Sequence, residues 1–128
     1  MSTYVGKTVL VAEDDAFISK VYGLALKKEG FDVVFVRDGV EALQAIEKKM
    51  PDLILLDLVM PNMDGFVFLE KLRSNPATAN IKVMILSNLG QESDIESVSQ
   101  YNVLDYIIKS NTHIKEIVEK IQSILAKD

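Results

Sequence analysis

Short apolar runs alternate with longer amphipathic stretches along the chain. The apolar runs are rich in Val, Ile and Leu and span residues 8–12, 31–36, 52–57, 81–86 and 104–108. Runs of this length and composition are typical of strands that are covered on both faces of a sheet. Apolar residues recur at helical spacing over residues 16–29, 38–49, 66–74, 93–100 and 113–126. The pattern predicts five strands alternating with five helices.

This alternation indicates the class of fold. Strands that alternate with helices form βαβ units, whose right-handed crossovers build a parallel sheet with helices on both faces. We expect one doubly wound α/β domain over residues 1–128, with its core between about residues 7 and 126. The fourth helix is predicted to open at a capping box of Ser93 and Glu96, and it has a thin apolar stripe, formed mainly by Ile95 and Val98. We expect this helix to be weakly held or to be completed by a partner.

Composition excludes several kinds of site. The chain has no cysteine and one histidine, His113, which excludes disulfides, thiolate metal sites and sites built from several histidines. No apolar stretch approaches the ~20 residues of a membrane helix. The N-terminus lacks the layout of a signal peptide, so we expect a cytoplasmic protein with no membrane partner. The net charge is −5 and the basic residues are scattered, which disfavours direct binding to nucleic acid.

Polar residues follow the apolar strands at the points where open parallel sheets place their ligand sites, outside the carboxyl ends of the strands. These residues are Glu13, Asp14 and Asp15 after the first strand, Asp57 after the third, Ser87 after the fourth and Lys109 after the fifth. We expect them to converge at one edge of the sheet.

Crowded carboxylates repel one another unless a cation offsets their charge. Mg²⁺ suits such a place, because it uses one or two carboxylates together with water and phosphate oxygens. Lys109 adds a fixed positive charge and Ser87 adds a hydroxyl donor. Metal, ammonium and hydroxyl together form a site for a phosphoryl group. An ionised carboxylate in such a site can itself be the nucleophile and form an aspartyl phosphate.

These residues resemble the receiver domain of two-component response regulators, in particular the single-domain chemotaxis regulators. The resemblance rests on Glu13–Asp14, Asp57 in the segment DLVMPNMDG, Ser87 and Lys109, and it extends from Thr8 to the last helix. It implies a flavodoxin-like sheet of order 2-1-3-4-5 and a phosphorylation-activated signalling switch. It also implies that Asp57 accepts a phosphoryl group from the phosphohistidine of a sensor histidine kinase or a phosphotransfer protein.

The resemblance also implies a set of metal ligands. Asp14 and Asp57 would bind Mg²⁺ directly, together with the main-chain carbonyl of Val59. Glu13 would act mostly through water. Asp15 is expected to cap the first helix instead, because its position commonly varies in the family and a helix N-terminus favours aspartate.

The remaining matches imply a switch. Lys109 would bridge Asp57 and the phosphoryl oxygens, and Ser87 would follow the new phosphate. Tyr106 would move with it and alter the surface formed by the fourth helix, the fifth strand and the fifth helix. The alternative for Tyr106 is an ordinary half-buried aromatic of a strand.

The chain departs from the family pattern beside two of these residues. Ser110 stands where proline usually follows the lysine, which bears on the placement of Lys109. Asn88 stands where a small residue is common, and we expect it to narrow access to the phosphate. The resemblance also implies that Val59 and Leu89 flank the approach of a hydrolytic water. Neither side chain can hydrogen-bond this water, which predicts a long-lived phosphorylated state. The alternative is that both side chains simply pack on their loops.

Other functions fit the sequence less well. An aspartate-nucleophile phosphohydrolase typically carries a second aspartate two residues after the first, where this chain has Val59. A flavin-binding protein of this topology needs a Ser/Thr/Gly-rich phosphate loop where this chain has an acidic cluster. A degenerate receiver that acts only as a protein-docking module remains the alternative. We therefore expect a phosphoacceptor, not a turnover enzyme, that acts as a monomer or a phosphorylation-dependent dimer on a protein target or a separate output domain.

Overall fold

The computed structural model describes residues 4–126, and this part of the chain contains a five-stranded parallel sheet of order β2-β1-β3-β4-β5. The strands are β1 (Thr8–Ala12), β2 (Asp32–Val36), β3 (Leu53–Leu56), β4 (Val83–Ser87) and β5 (Asp105–Ile108). The helices are α1 (Ala16–Lys28), α2 (Gly39–Lys48), α3 (Gly65–Ser74), α4 (Glu92–Ser99) and α5 (Ile114–Leu125). The predicted alternation and the implied strand order are confirmed.

The central strands bury side chains on both of their faces. In β1, Leu10 and Ala12 belong to one apolar core, whereas Val9 and Val11 belong to the other. The first core includes buried residues of α2, α3 and α4, and the second includes those of α1 and α5. Each large apolar side chain that is fully buried contributes about 1.5–3 kcal/mol, so the two cores fix the sheet firmly. Burial on both faces explains why the strands are apolar throughout.

Helix α4 is weakly anchored, as its thin apolar stripe predicts. Val98 is buried, and Ile95 is largely exposed. The predicted capping box of Ser93 and Glu96 is wrong, because the helix begins earlier and the Asp94 carboxylate accepts the backbone N–H of Gln91 at 3.1 Å. A second difference is a short 3₁₀ helix at Lys109–Asn111, which the sequence pattern did not predict.

No helix within residues 4–126 is long and apolar enough to cross a membrane.

The loop between β3 and α3 is fastened to the start of α2. Asp38 caps α2 by accepting the N–H of Glu41 at 2.9 Å, and its other oxygen accepts the Asn62 side-chain amide at 2.7 Å. Asn62 has a φ of 64°, a left-handed conformation that asparagine tolerates. Gly65 allows the start of α3 to approach β3, since a Cβ there would lie 2.7 Å from the carbonyl oxygen of Asp57. These contacts fix the loop that follows Asp57.

We predict that Asp38→Ala lowers the free energy of unfolding by about 2 kcal/mol, of which about 1 is the lost helix cap and about 1 the lost bond to Asn62. The matched control is Asp64→Ala, which removes the cap of α3, an aspartate that accepts the N–H of Val67 at 2.9 Å. This control should lose about 1 kcal/mol. Urea unfolding at neutral pH measures both values, and equal losses would contradict the role of the Asn62 bond.

The same comparison has a pH dependence. The hydrogen bond from Asn62 is the largest cause that lowers the pKa of Asp38 in the folded protein. The stabilisation by Asp38 should therefore be complete above the ordinary aspartate pKa of about 3.9 and should be lost as the pH falls through the lowered value. The difference in the free energy of unfolding between the wild type and Asp38→Ala should therefore become smaller in acid.

Candidate functional site

Three carboxylates meet at the carboxyl edge of the sheet. Glu13 and Asp57 each follow the last residue of a strand and still extend its ladder, because Glu13 N–H donates to Val36 O and Asp57 N–H to Ala12 O, both at 3.0 Å. Both residues are buried, Glu13 with 4% and Asp57 with 7% of its surface exposed. Asp14 is exposed beside them, and one oxygen of each of the three carboxylates lies within 4.8 Å of the others.

This arrangement fits a divalent cation with a preference for oxygen ligands. One oxygen of each carboxylate is near enough to the other two for all three to hold one ion, and Asp14 is exposed, so water could complete the coordination shell. Mg²⁺ keeps several waters when it binds protein carboxylates, so a group with one open side suits it. Glu13, Asp14 and Asp57, three of the predicted ligands, are thus brought together.

Lys109 completes the cluster from the other side of β4. Its ammonium donates to Asp57 Oδ2 at 2.9 Å and also donates to Glu13 Oε1. The side chain is mostly buried, so these ion pairs are little screened by solvent. The predicted placement of Lys109 beside Asp57 is therefore observed, although Ser110 follows it.

Burial and ion pairing have opposite effects on the pKa of Lys109 and on the pKa of Glu13. Burial acts to lower the pKa of Lys109, but the hydrogen bonds to Glu13 and Asp57 outweigh it and raise the pKa, so the ammonium stays charged. Burial raises the pKa of Glu13, and the bond from Lys109 acts in the opposite direction. For Glu13 the effect of burial is the larger, so its pKa stays above the ordinary value, whereas Lys109 keeps its positive charge beside both carboxylates.

Ser87 is the last residue of β4 and is fully buried. It pairs in the β4–β5 ladder with Ile108, the residue before Lys109, and its hydroxyl oxygen accepts the N–H of Leu89 at 3.4 Å. The predicted hydroxyl thus lies at the expected strand end, between the strands that carry Asp57 and Lys109.

Tyr106 lies on β5 and is half-buried, and its hydroxyl donates a hydrogen bond to the main-chain carbonyl of Leu89. The aromatic ring is therefore tied to the loop that follows Ser87. The Leu89 side chain is itself half-buried and packs against one of the two cores. The hydrogen bond therefore joins Tyr106, which was predicted to be part of the switch, to Leu89, which was predicted to flank the approach of the hydrolytic water.

The remaining predicted residues lie near the cluster. Asp15 caps α1 by accepting the N–H groups of Phe17 and Ile18, which confirms its structural role. The Val59 backbone N–H donates to Asp57 Oδ1 at 3.2 Å, and its side chain is 56% exposed. The roles of Val59 as a carbonyl ligand and as a shield stay predictions.

One contact of the site was missed by the sequence reasoning. The backbone N–H of Ser110 donates to the side-chain oxygen of Asn88 at 3.0 Å. Both positions had been identified as departures from the family pattern, but they lie 22 residues apart and nothing in the hydrophobic pattern links them. The Asp38–Asn62 bond went unnoticed for the same reason.

Comparison with known proteins identifies the family. A profile of the response regulator receiver domain matches residues 9–122. The chain is 36% identical over 120 residues to the chemotaxis protein CheY of Treponema pallidum, covering 91% of this chain and 81% of that protein. It also resembles the solved structure of the phosphorylated cyanobacterial phytochrome response regulator RcpA, with 31% identity and a TM-score of 0.78 over 92% of this chain and 90% of that one.

Other relatives are longer proteins. The DNA-binding regulator RpaA of a Synechocystis strain is 32% identical over 119 residues, which are 93% of this chain but 49% of that protein. The chain spans about half the length of such relatives. The matched region includes all of the strand ends that form the acidic cluster, from Glu13 to Lys109. On this evidence the chain belongs to the response regulator receiver domains, which act in phosphorylation-activated signalling.

Proposed function

We propose that this receiver accepts its phosphoryl group on Asp57. A carboxylate oxygen of Asp57 attacks the phosphorus of a phosphohistidine, the new O–P bond forms as the P–N bond breaks, and the imidazole nitrogen of the donor keeps the electron pair. The observation that carries this proposal is the Lys109 ammonium held against Asp57 Oδ2 at 2.9 Å. A cation fixed there stabilises charge on the phosphoryl oxygens as they transfer.

Mg²⁺ fits the same step as a resident cofactor. Glu13, Asp14 and Asp57 would hold it, and the Val59 carbonyl is proposed as a further ligand. When bound, the ion neutralises negative charge on the phosphoryl oxygens. The chain speeds its own phosphorylation and dephosphorylation in this way and is not an enzyme that turns over an external substrate.

The partners follow from the family. Receiver domains interact with histidine kinases and with output targets. We propose that this chain takes its phosphoryl group from a sensor kinase or a phosphotransfer protein in the cytoplasm and acts on a protein target or a separate output domain, as a monomer or a phosphorylation-dependent dimer. Its net charge of −5, with scattered basic residues, favours protein partners over nucleic acid.

Incubation with acetyl phosphate and Mg²⁺ tests the phosphoacceptor directly. Intact-protein mass spectrometry should show one added phosphoryl group on the wild type and none on Asp57→Asn, because an amide cannot attack phosphorus in this way. Chelation of Mg²⁺ or the change Asp14→Ala should abolish the modification, since both remove charge neutralisation. Asp15→Asn is the matched control, because it removes a neighbouring charge but retains a capping side chain.

The second candidate function is a degenerate receiver that serves only as a docking module. Ser110 in the place of the usual proline favours it. A wild-type protein that binds Mg²⁺ but gains no phosphoryl group would contradict the phosphoacceptor proposal and support this alternative.

We also propose that Val59 and Leu89 prolong the phosphorylated state. An aspartyl phosphate is lost when water attacks in line, and a polar side chain that positions this water accelerates the attack. Val59 is exposed beside Asp57, and Leu89 lies two residues after Ser87. Neither side chain can hydrogen-bond a water.

The double change Val59→Asn with Leu89→Glu should accelerate phosphate release from the purified phosphoprotein by about tenfold or more, because both new side chains can hold water. Val67→Asn, which makes the first of these two substitutions at an exposed valine of α3, is the control and should have little effect. An unchanged or slower rate in the double variant would mean that these positions only pack on their loops.

The switch is proposed to act through Ser87 and Tyr106. A phosphoryl group adds about two negative charges and new acceptors. The Ser87 hydroxyl donates to one of them and draws the following loop inward, which disturbs the bond from Tyr106 to the Leu89 carbonyl. Helix α4, with Val98 as its buried residue, then shifts between two populations.

Backbone amide NMR checks this switch. Phosphorylation should change chemical shifts most strongly across residues 87–106, and Tyr106→Phe should reduce the changes near Leu89 because it removes the hydroxyl and keeps the ring. Changes confined to residues 13–15 and 57 would count against a transmitted switch.

A further inference from the structure

A hydrogen bond joins the two residues that directly follow the buried hydroxyl and the buried ammonium of the site. Asn88 comes after Ser87 and Ser110 comes after Lys109, and the Ser110 backbone N–H donates to Asn88 Oδ1 at 3.0 Å. Both residues are exposed, so this bond forms a surface tie above the buried cluster. Asn88 therefore directs its acceptor towards the loop that carries Lys109.

This hydrogen bond constrains the backbone at Lys109, from which the lysine side chain extends. Lys109 opens the 3₁₀ helix at Lys109–Asn111, and its four-carbon side chain must cross the end of β4 to reach Asp57. Fixing the N–H of Ser110 fixes the peptide group that Lys109 and Ser110 share, and with it the backbone dihedral ψ of Lys109. A long flexible side chain loses less freedom on making its ion pairs when its first atom is already in place.

Serine at position 110 makes this bond possible. Proline has no backbone N–H and could not donate to Asn88. The two departures from the family pattern thus form one contact, in which an amide side chain holds the residue that replaces the usual proline.

Two neighbouring contacts also hold the loop after Ser87 against β5. Tyr106 donates to the carbonyl of Leu89, and a Cβ on Gly90 would lie 3.3 Å from the Ile108 side chain. The loop after Ser87 thus lies along β5 at two further points. The Asn88 bond extends this attachment past the end of the strand to the residue beyond Lys109.

We propose that Asn88 is a positioning residue for Lys109, acting through the Ser110 N–H, and that the pair sets the rate at which the site takes up a phosphoryl group. This inference rests on the proposed phosphoacceptor function. It contrasts with the expectation from sequence that Asn88 merely narrows access to the phosphate. The two hypotheses predict opposite changes in the rate of phosphorylation. If Asn88 positions the lysine, a smaller residue at position 88 slows phosphorylation. If Asn88 obstructs the phosphoryl donor, a smaller residue speeds it.

The experiment measures phosphorylation by acetyl phosphate at saturating Mg²⁺ in four variants. Asn88→Ala should be slower than the wild type by about fivefold, the rate equivalent of one modest hydrogen bond. Ser110→Ala retains the backbone N–H and should stay within about twofold of the wild type. In the Ser110→Pro background, the further change Asn88→Ala should produce no slowing, whatever the rate of Ser110→Pro itself, because the donor is already gone.

Two measurements on the unphosphorylated protein separate positioning from loss of structure. Asn88→Ala should shift the amide resonance of Ser110 upfield and should change the side-chain Nζ resonance of Lys109, while Ser110→Ala leaves the latter in place. Asn88→Ala should still unfold in one cooperative urea transition, with a midpoint lowered by no more than the loss of one hydrogen bond, and its Mg²⁺ affinity should match the wild type.

The outcomes are distinct. A wild type that takes up no phosphoryl group refutes the phosphoacceptor function itself. A phosphorylated wild type with an equal or faster rate in Asn88→Ala overturns the positioning role, as does equal slowing by Asn88→Ala with and without the Ser110 N–H.

Discussion

Two buried carboxylates share one ammonium, and the rest of the site depends on this pairing. Glu13 extends β1 and Asp57 extends β3, which are neighbouring strands, so the fold itself forces their charges together. Without a cation one of them would take up a proton. Lys109 supplies the charge from β5, across the end of β4, and bonds to both. A buried pair of this kind is costly to break, because removing one partner leaves an uncompensated charge.

The same constraint explains why the site is built at strand ends and not on loops. The neighbouring residues Ala12, Leu56 and Ile85 are almost completely buried. The carboxylates therefore begin from backbone atoms that cannot shift without disturbing both cores. Farther along the chain, the loop after Asp57 is held by Asp38 and Gly65, so the surroundings of Asp57 are fixed from two sides.

The sequence predicted those parts of the molecule whose signal is local. Strands buried on both faces are apolar throughout, so their positions were clear, and the polar residues at their ends showed where Asp57 and Lys109 would meet. The start of α4 was misplaced because Gln91 with Asp94 and Ser93 with Glu96 offer overlapping caps, and few apolar residues mark where this helix begins. Hydrogen bonds between polar residues that are far apart in the sequence, such as Asn88 and Ser110, produce no periodic pattern along the chain, so the sequence did not predict them.

The attachments on the two sides of the site differ in strength, and this difference suits a switch. The strands are held by two apolar cores, whereas the loop after Ser87 is tied to β5 and the turn beyond it by hydrogen bonds from Tyr106 and Ser110. Each such bond contributes about 0.5–1.5 kcal/mol, and Val98 is the buried residue of α4. A phosphoryl group offers charge-assisted hydrogen bonds that are roughly twice as strong as neutral ones. In the proposed switch, new bonds from Ser87 and Lys109 would be strong enough to compete with these loop contacts and far too weak to disturb the sheet that holds Asp57.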